Sequence, residues 1–324
     1  MITLDLFAGT GWGVACQRLG ILEHGVELMP EAVASRDAAG MHTAYHDVWD
    51  GLADPAIIPG HDLLIASPPC QTFSVAGKGS GRKALDDVLS LIQTGAWAQK
   101  GTALRDAASA FGLDDRTALV LSPLAYVAHS GPMHVVLEQV PAVLPVWEAV
   151  AMQMRALGYS VVTGVLSTEQ YGVPQTRRRA VLVARRDGIA AALPVPSHSR
   201  YYPLQPGRRD RGVLPWVSMS EALGELRPEI AAWRWKGMPA TTVAGDPRIT
   251  AREHHFHGEQ SKTSLRLTAD EAARLQTYPD GFPFHGTQGK RFLQIGNAVP
   301  PLFGQAIITA ALAGSVQTTE AVAA

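Results

Sequence analysis

A cysteine follows two prolines in the sequence Pro68-Pro69-Cys70-Gln71. The apolar run before it, Asp62–Ala66, predicts a strand that the prolines end abruptly, so the backbone leading to the thiol is fixed. Polar neighbours on both sides argue against burial, although a buried, unreactive state is the commoner one for cysteine. A rigid, partly exposed thiol is what covalent catalysis requires, and Cys70 is therefore predicted to be a nucleophile. The other cysteine, Cys16, has no such surroundings and is predicted to pack within a helix.

One acidic and two basic residues are predicted to lie near this thiol. Glu138 follows the apolar run Val135–Leu137, so its carboxylate would project at the same sheet edge as Cys70. The run Gln175-Thr176-Arg177-Arg178-Arg179 leads into another strand, where alternation sends Arg177 and Arg179 to one face and Arg178 to the other. Two cations beside a thiol and a carboxylate can lower the thiol pKa and bind phosphate. The alternative is a solvated basic patch.

A glycine cluster, Gly9-Thr10-Gly11-Trp12-Gly13, follows the first predicted strand. Glycines there let a nucleotide-like cofactor approach the backbone, and the next helix presents its N-terminus to the ligand. Glu27, at the end of the second strand, could accept hydrogen bonds from ribose hydroxyls, and Asp47 could bind an adenine amino group. The alternatives are a generic turn for the glycines and ordinary surface positions for the two carboxylates.

These residues follow strands in a chain that alternates predicted strands with predicted helices. Such alternation predicts an α/β fold with a doubly wound, mainly parallel sheet whose sites lie at the carboxyl ends of the strands. The predicted strands are Ile2–Phe7, His24–Met29, Asp62–Ala66, Val135–Leu137, Ser160–Leu166 and Ala180–Ala184. The predicted helices include Pro30–Ala39, Glu148–Leu157, Thr268–Tyr278 and Pro301–Leu312. Gly77–Arg116 is predicted to be a mobile loop followed by an inserted helical piece.

Charge is distributed unevenly along the chain although the net charge is only −1. Residues 1–154 carry 8 Lys and Arg against 16 Asp and Glu, whereas residues 155–266 carry 17 against 9. The positive part is rich in proline, arginine and tryptophan over Pro194–Arg252, and regular periodicity fades there. We expect it to attract a polyanion, unless the segment charges average out on the folded surface. Two domains are predicted, one discontinuous (residues 1–187 and 264–324) and one small and loop-rich (residues 188–263).

In this order the motifs resemble those of the DNA cytosine-C5 methyltransferase family, and the resemblance covers nearly the whole chain outside its variable middle. Asp5-Leu6-Phe7-Ala8-Gly9-Thr10-Gly11 is similar to the family's cofactor loop, and Pro69-Cys70-Gln71 to its nucleophile motif. Gln175-x-Arg177-x-Arg179 is similar to its Gln-x-Arg-x-Arg motif. Gln294-Ile295-Gly296-Asn297-Ala298-Val299-Pro300-Pro301 is similar to its final motif, and Thr242-Val243 to the Thr-aliphatic element of its target-recognition domain.

The resemblance implies a Rossmann-like, S-adenosylmethionine-dependent methyltransferase domain (residues 1–187 and 264–324) and a target-recognition domain (residues 188–263). The residues implied to bind S-adenosylmethionine are Phe7, Gly9, Gly11, Glu27, Asp47, Pro69 and Asn297. Those implied to act in catalysis are Cys70, Glu138, Arg177 and Arg179, and those implied to contact DNA are Gln71, Ser74, Gln175 and Thr242. No metal is implied.

The implied activity is methyl transfer from S-adenosylmethionine to C5 of cytosine within a specific double-stranded DNA sequence. Addition of the Cys70 thiolate to C6 would make C5 nucleophilic, and Glu138 would bind the exocyclic amine and N3. Both arginines would hold Glu138 and the target nucleotide, which must be flipped out of the duplex. Two positions depart from the family pattern, because Gln139 stands where asparagine is usual and Trp12 where glycine is common.

Three other interpretations can be weighed against this one. One branch of the family methylates transfer RNA and tends to carry a Cys-Phe-Thr element in its recognition region, whereas the middle segment here has no cysteine. A catalytically inactive, DNA-binding relative would have no reason to keep the predicted nucleophile, acid and arginines together. A nicotinamide oxidoreductase would share the early fold but has no role for a Pro-Cys-Gln motif.

The composition, with 46% hydrophobic and 18% charged residues, is typical of a globular protein. No apolar run approaches the roughly 20 residues of a membrane-spanning helix, so no membrane association is expected. The N-terminus enters a predicted strand at once rather than a cleavable leader. We expect a monomeric, cytoplasmic enzyme of bacterial or phage origin that acts on duplex DNA, with a companion restriction endonuclease acting on the same site as its context.

Overall fold

The computed structural model describes residues 1–69, 79–224, 237–246, 248–250 and 264–315 of the 324-residue chain. The strands in chain order are β1 (Ile2–Leu6), β2 (Leu22–Val26), β3 (His42–Tyr45), β4 (Leu63–Ala66), β5 (His134–Gln139), β6 (Ser160–Ser167), β7 (Gln175–Thr176), β8 (Arg178–Arg185), β9 (Ala240–Thr241), β10 (Arg248–Thr250) and β11 (Ser264–Arg266). Every strand predicted from the sequence is present, and the largest shift is in β2, which begins and ends earlier than predicted.

The central sheet has seven strands in the order β3-β2-β1-β4-β5-β8-β6. Neighbours from β3 to β5 are parallel, and β8 runs antiparallel to both β5 and β6. The prediction of a mainly parallel, doubly wound sheet is therefore confirmed. The register places Leu6 beside Ala66, and Ala66 beside Leu137. The residues that follow these three therefore leave the sheet side by side, at one rim.

The helices cover both faces of this sheet. In chain order they are α1 (Gly11–Leu19), α2 (Pro30–Ala38), α3 (Val48–Ala53), α4 (Gly79–Gln93), α5 (Ala103–Ala110), α6 (Asp115–Ala118), α7 (Ser122–Ser130), α8 (Leu144–Ala156), α9 (Met219–Leu223), α10 (Ala269–Leu275), α11 (Gln288–Asn297) and α12 (Pro301–Leu312). A capping box begins α10, in which the Thr268 hydroxyl accepts from the backbone N–H of Glu271 and the Glu271 carboxylate accepts from the backbone N–H of Thr268.

Alternate residues of the sheet strands pack into different cores. Leu64 and Leu137 belong to a core with Trp147 of α8, whereas Ile65 and Val136 belong to one with α1 and α12 on the other face. Because both faces of the strands are covered, their sequences are continuously apolar rather than alternating.

One stretch, Gln288–Leu312, is long and apolar enough to cross a membrane by length and composition. It is divided into α11 and α12, and Phe303, Ile307 and Ile308 of α12 are fully buried against the sheet. A buried core helix accounts for this apolarity. The sequence expectation overlooked the stretch because polar residues of α11 interrupt the apolar run.

A third core forms beside the sheet, mostly from the C-terminal part of the chain. Met219 and Leu223 of α9 pack there with Val243, Phe292 and Ile295. This core contains residues from both sides of position 264. The division into residues 1–187 with 264–324 and residues 188–263 stays a prediction.

Candidate active site

A cavity of about 510 Å³ opens at the rim where β1, β4 and β5 end. Its volume is within the range of small-molecule sites. All seven residues predicted to bind the cofactor line it, namely Phe7, Gly9, Gly11, Glu27, Asp47, Pro69 and Asn297. Three of the four predicted catalytic residues, Glu138, Arg177 and Arg179, line it as well. The fourth, Cys70, and the predicted DNA contacts Gln71 and Ser74 lie outside the residues that the structure describes.

The glycine loop after β1 has a backbone that few residue types allow. Phe7 has φ +60° and Gly9 has φ +47°, both in the left-handed region. A Cβ atom at Gly11 would lie 2.1 Å from the carbonyl oxygen of Val299, so only glycine allows the last motif to pack this closely on the loop. The glycine loop near the N-terminus and the last motif, around Val299, thus meet at one wall of the cavity.

The Glu27 carboxylate anchors the glycine loop by a hydrogen bond to its backbone. One carboxylate oxygen accepts from the backbone N–H of Gly9 at 2.8 Å, and the other from that of Met29 at 2.7 Å. Each oxygen has a further lone pair, so these bonds leave acceptor capacity toward the cavity. Asp47, which also lines the cavity, caps α3 by accepting from the Trp49 N–H at 3.0 Å, and this bond fixes its carboxylate.

A buried ion pair under the loop was not predicted from the sequence. Arg36 is fully buried, its guanidinium donates to both oxygens of Glu23, and it also donates to the carbonyl of Gly9 at 3.0 Å. Asp5 is buried close by, and burial, followed by the charge of Glu23, raises its pKa well above the usual range. Arg36 lies on α2, distant in sequence from its partners, and local sequence patterns carry no signal for such a pairing.

Glu138 and Arg179 form the charged centre of the cavity. The Nε atom of Arg179 lies 2.7 Å from Oε1 of Glu138, and the two side chains are 13% and 5% exposed. Glu138 is on β5 and Arg179 on β8, which pair in the sheet. At this depth the carboxylate is oriented by a charge-assisted hydrogen bond, and it would be costly to leave without its partner.

Arg177 and Gln175 have different partners from those expected. Arg177 is buried and donates to the carbonyls of Val243 and Gly296 at 3.1 and 2.9 Å, rather than holding Glu138. Burial, followed by the charge of Arg179, lowers its pKa. Gln175 was predicted to contact DNA, but it is completely buried, and its amide bonds to Leu275, Gln276 and Val243. We correct that prediction, because these protein contacts occupy the groups that would read DNA.

The segment Ser67-Pro68-Pro69, which leads to Cys70, is bound by two side chains. The Gln139 amide donates to the carbonyl of Pro68 at 2.6 Å, and the Trp12 indole donates to the Ser67 hydroxyl at 2.9 Å. These are the two residues at which the sequence departs from the family pattern. No local sequence pattern indicates either contact.

Arginines stack on aromatic rings in the positively charged middle of the chain. The guanidinium carbon of Arg208 lies 3.8 Å from the ring centroid of Tyr202. The guanidinium carbon of Arg209 lies 3.2 Å from the ring centroid of Trp216. We call these four residues, with Arg200 at 5.9 Å from the Tyr202 ring, the arginine–aromatic cluster. Stacking holds the guanidinium planes in place while leaving their edges able to bind anions.

Thr242 is exposed, as a DNA contact requires, and its hydroxyl donates to the carbonyl of Thr176 at 2.8 Å. Other residues of the cavity wall were missed by sequence reasoning. Arg116 is in α6 and Leu119 directly follows it, while Met29 is two residues from Glu27 and His46 is next to Asp47. Their neighbours in the sequence could have drawn attention to the last two, but nothing local marks the first two.

The family model described as C-5 cytosine-specific DNA methylase matches residues 1–91, 108–210 and 220–313. Type II methyltransferase M1.HphI of Haemophilus parahaemolyticus is 30% identical over 292 residues, which are 78% of this chain and 68% of the relative. Type II methyltransferase M.NgoBI of Neisseria gonorrhoeae is 28% identical over 320 residues, which are 92% and 88%.

Solved structures of methyltransferases are similar over nearly the whole chain. The S. pombe Dnmt2 methyltransferase has a TM-score of 0.61 at 17% identity, covering 96% of this chain and 98% of its own. A putative DNA modification methyltransferase encoded within an E. coli prophage gives the same TM-score, identity and coverage. At these identities the likeness is evidence for the fold alone.

Proposed function

The chain belongs to the C-5 cytosine-specific DNA methylase family, and from this premise we propose that it methylates C5 of cytosine in duplex DNA with Cys70 as its covalent nucleophile. Two predictions from the motifs are confirmed. The chain is a DNA cytosine-5-methyltransferase, and its fold is the Rossmann-like fold of S-adenosylmethionine-dependent methyltransferases. The covalent mechanism, the DNA target and the roles of individual residues are proposals.

The observation that carries the proposal is that a single cavity is lined by three groups of residues, each suited to a different participant in the reaction. The glycine loop forms one wall, the Glu138–Arg179 pair a second, and Pro69, directly before Cys70 in the sequence, a third. A methyl donor, a target base and a nucleophile must meet within one enclosure for the reaction to occur. The cavity supports such a meeting because its walls come from adjacent strand ends.

The described residues fit S-adenosylmethionine. Gly9 keeps the backbone free of a side chain where a nucleotide-like group would approach, Gly11 lets Val299 pack against the loop, and Glu27 keeps acceptor capacity for ribose hydroxyls. We propose that these residues, with Phe7, Asp47, Pro69 and Asn297, hold the cofactor. When bound, S-adenosylmethionine supplies an electrophilic methyl group on its sulfonium sulfur.

Cytosine C5 is a weak nucleophile, and we propose that the protein raises its reactivity by covalent addition. The Cys70 thiolate forms a bond to C6, and the electron pair displaced from the C5–C6 double bond makes C5 nucleophilic. Glu138, oriented by Arg179, accepts a hydrogen bond from the exocyclic amine and stabilises a proton at N3. After C5 has gained the methyl group, a base removes the C5 proton, the C6–S bond breaks and the thiolate is regenerated.

Glu138 would also select cytosine over thymine. Thymine presents a carbonyl where cytosine has its amine, so a carboxylate at this position would face an acceptor instead of a donor. Because C6 is inaccessible within a base stack, the target must be flipped into the cavity, at a cost of a few kcal/mol.

We propose that the arginine–aromatic cluster and Thr242 lie on the DNA-contacting surface, together with Gln71 and Ser74. The segment 197–216 contains Arg200, Arg208, Arg209 and Arg211 and only one acidic residue, Asp210. Asp210 accepts from the Arg200 backbone N–H and from the Tyr202 hydroxyl. Arg209 donates through Nη1 to the carbonyls of Pro206 and Arg208. We expect its other N–H groups and the guanidinium groups of Arg200 and Arg208 to contact phosphates, whose neutralisation supplies most non-specific DNA affinity.

The direct test is methyl transfer from radiolabelled S-adenosylmethionine to duplex DNA and, in parallel, to transfer RNA. We expect label in DNA, located by methylation-sensitive sequencing at one short sequence, and none in RNA. Cys70→Ala and Cys70→Ser should abolish transfer but still bind S-adenosylmethionine. Label only in RNA would favour the transfer-RNA alternative, and normal turnover by Cys70→Ala would contradict the mechanism. The Type II relatives also support a companion restriction endonuclease, which we propose as the context.

A further inference from the structure

The three residues before Cys70 have few ways to be fixed by their own backbone. Proline has no N–H, so Pro68 and Pro69 can be held only through their carbonyls and by packing. The Ser67 N–H makes a long bond, 3.4 Å, to the carbonyl of Leu6. Side chains from other elements must therefore determine where this segment leaves the sheet.

Gln139 binds this segment from the strand that carries Glu138. Its Nε2 donates to the carbonyl of Pro68 at 2.6 Å, while its Oε1 accepts from the N–H of Val140. Because both ends of the amide are engaged, its orientation is fixed. Gln139 directly follows Glu138, so the same strand end holds the acid and the proline segment.

Trp12 binds the segment from the side of the glycine loop. Its Nε1 donates to the Ser67 hydroxyl at 2.9 Å, and the residue is only 2% exposed. The indole packs on Gly304 of α12, where an added Cβ would lie 3.0 Å from the ring. The ring is therefore held on one side by α12, and its single N–H donor is directed to Ser67.

We propose that Trp12 and Gln139 are a pair of positioning residues, which fix Ser67-Pro68-Pro69 relative to the cofactor loop on one side and Glu138 on the other. This inference rests on the proposed function, since it takes Cys70, the next residue, as the nucleophile. The two departures from the family pattern then have one explanation, because both contact the same three residues. A misplacement of about 1 Å in a reacting group can reduce a rate by about 100-fold, so loss of either bond should slow the addition of the thiol.

The first experiment is a double-mutant cycle on the Trp12–Ser67 bond. Trp12→Phe removes the N–H donor and keeps a ring, and Ser67→Ala removes the acceptor. Each is expected to lower the single-turnover methylation rate about tenfold, while the Kd of S-adenosylmethionine changes less than threefold. Because both remove the same bond, the double variant should be no slower than the slower single variant. Independent, multiplying effects would overturn the proposal.

Trp97→Phe is the matched control for this cycle. Trp97 is also a buried tryptophan, and its Nε1 donates to the carbonyl of Ile92 at 2.9 Å, away from the cavity. Trp97→Phe should lower the Tm about as much as Trp12→Phe does and leave the single-turnover rate unchanged. If both variants lost rate in proportion to stability, Trp12 would have only a structural role.

The second experiment varies the side chain at Gln139. Gln139→Asn keeps an N–H donor on a shorter side chain, and Gln139→Met keeps the length without a donor. The single-turnover rates should fall in the order Gln, Asn, Met, with the Kd of S-adenosylmethionine unchanged. Equal rates for Gln139→Met and the wild type would overturn the proposal. An inactive wild type would instead refute the proposed function, so the two failures are distinguishable.

Discussion

Gly11 is the residue at which the structure makes the sharpest demand on cofactor binding. Replacing it with alanine would place a Cβ atom 2.1 Å from the Val299 carbonyl oxygen and 3.1 Å from the Val299 carbonyl carbon. Ordinary contact begins at 3.4 Å, so the cofactor loop and the final motif must separate by roughly 1 Å. Both sides of the clash are backbone, and no change of rotamer can relieve it.

The expected cost of Gly11→Ala is at the upper end of the range for overpacking, about 2–3 kcal/mol. The slightly better helix propensity of alanine offsets less than about 1 kcal/mol of this. Because both displaced segments line the cavity, the Kd of S-adenosylmethionine should rise at least tenfold, an estimate that follows from a binding free energy weakened by about 1.4 kcal/mol.

Isothermal titration calorimetry and thermal unfolding with and without S-adenosylmethionine measure these two effects. The rise in Tm on adding the ligand should shrink in Gly11→Ala, because that rise depends on the ratio of ligand concentration to Kd. Gly289→Ala is the control, since no atom lies within 4 Å of a Cβ built there. A Gly11→Ala variant with the wild-type Kd and Tm would refute the close approach of the two segments.

Three further predictions concern charged side chains. Glu138→Gln removes the carboxylate that pairs with Arg179 and should lower the single-turnover rate by about 100-fold or more; an unchanged rate would exclude Glu138 from the reaction. Burial raises the pKa of Glu169 from 4.5 to about 7. As pH rises, the unfolded chain therefore loses this proton before the folded chain does. The free energy of unfolding falls between pH 4.5 and 7 as a result, by about 3 kcal/mol at most. Glu169→Gln should therefore flatten the pH dependence of urea unfolding between pH 5 and 8, and an unaltered slope would contradict this. Replacing Arg208 and Arg209 by alanine should make DNA binding less sensitive to salt. The slope of the logarithm of the binding constant against the logarithm of salt concentration, measured by fluorescence anisotropy, should fall by roughly 1 for each phosphate that the variant no longer neutralises. An unchanged slope would place the cluster outside the DNA interface.

Features set by short-range patterns could be predicted from the sequence. The bounds of α12 are those predicted, because Pro301 at its first position marks the start of the helix. The seven predicted cofactor residues share one cavity because the carboxyl ends of neighbouring strands meet at one rim. The antiparallel placement of β8 between β5 and β6 has no local signal, since it depends on which strand edges remain open after the others have paired.

Side-chain partners across long sequence separations could not be predicted. The Trp12–Ser67 and Gln139–Pro68 bonds join residues 55 and 71 positions apart. Gln175 was expected at a DNA surface from the resemblance of its motif to the family's Gln-x-Arg-x-Arg, but the packing of α10 buries it completely. A polar side chain in a loop has the same sequence signature whether its bonds go to a ligand or to the protein's own backbone.

The covalent role of Cys70 is the central claim, and trapping with 5-fluorocytosine tests it most directly. Fluorine at C5 cannot leave as a proton does, so the C6–S bond cannot be broken after methyl transfer. The wild-type chain should be incubated with S-adenosylmethionine and a random-sequence duplex pool containing 5-fluorocytosine, then digested and mapped by mass spectrometry. A methylated 5-fluorocytosine adduct on the peptide containing Cys70, absent in Cys70→Ala, is the predicted result. Methylation of ordinary DNA by the same preparation with no adduct, or with an adduct on another residue, would contradict the account.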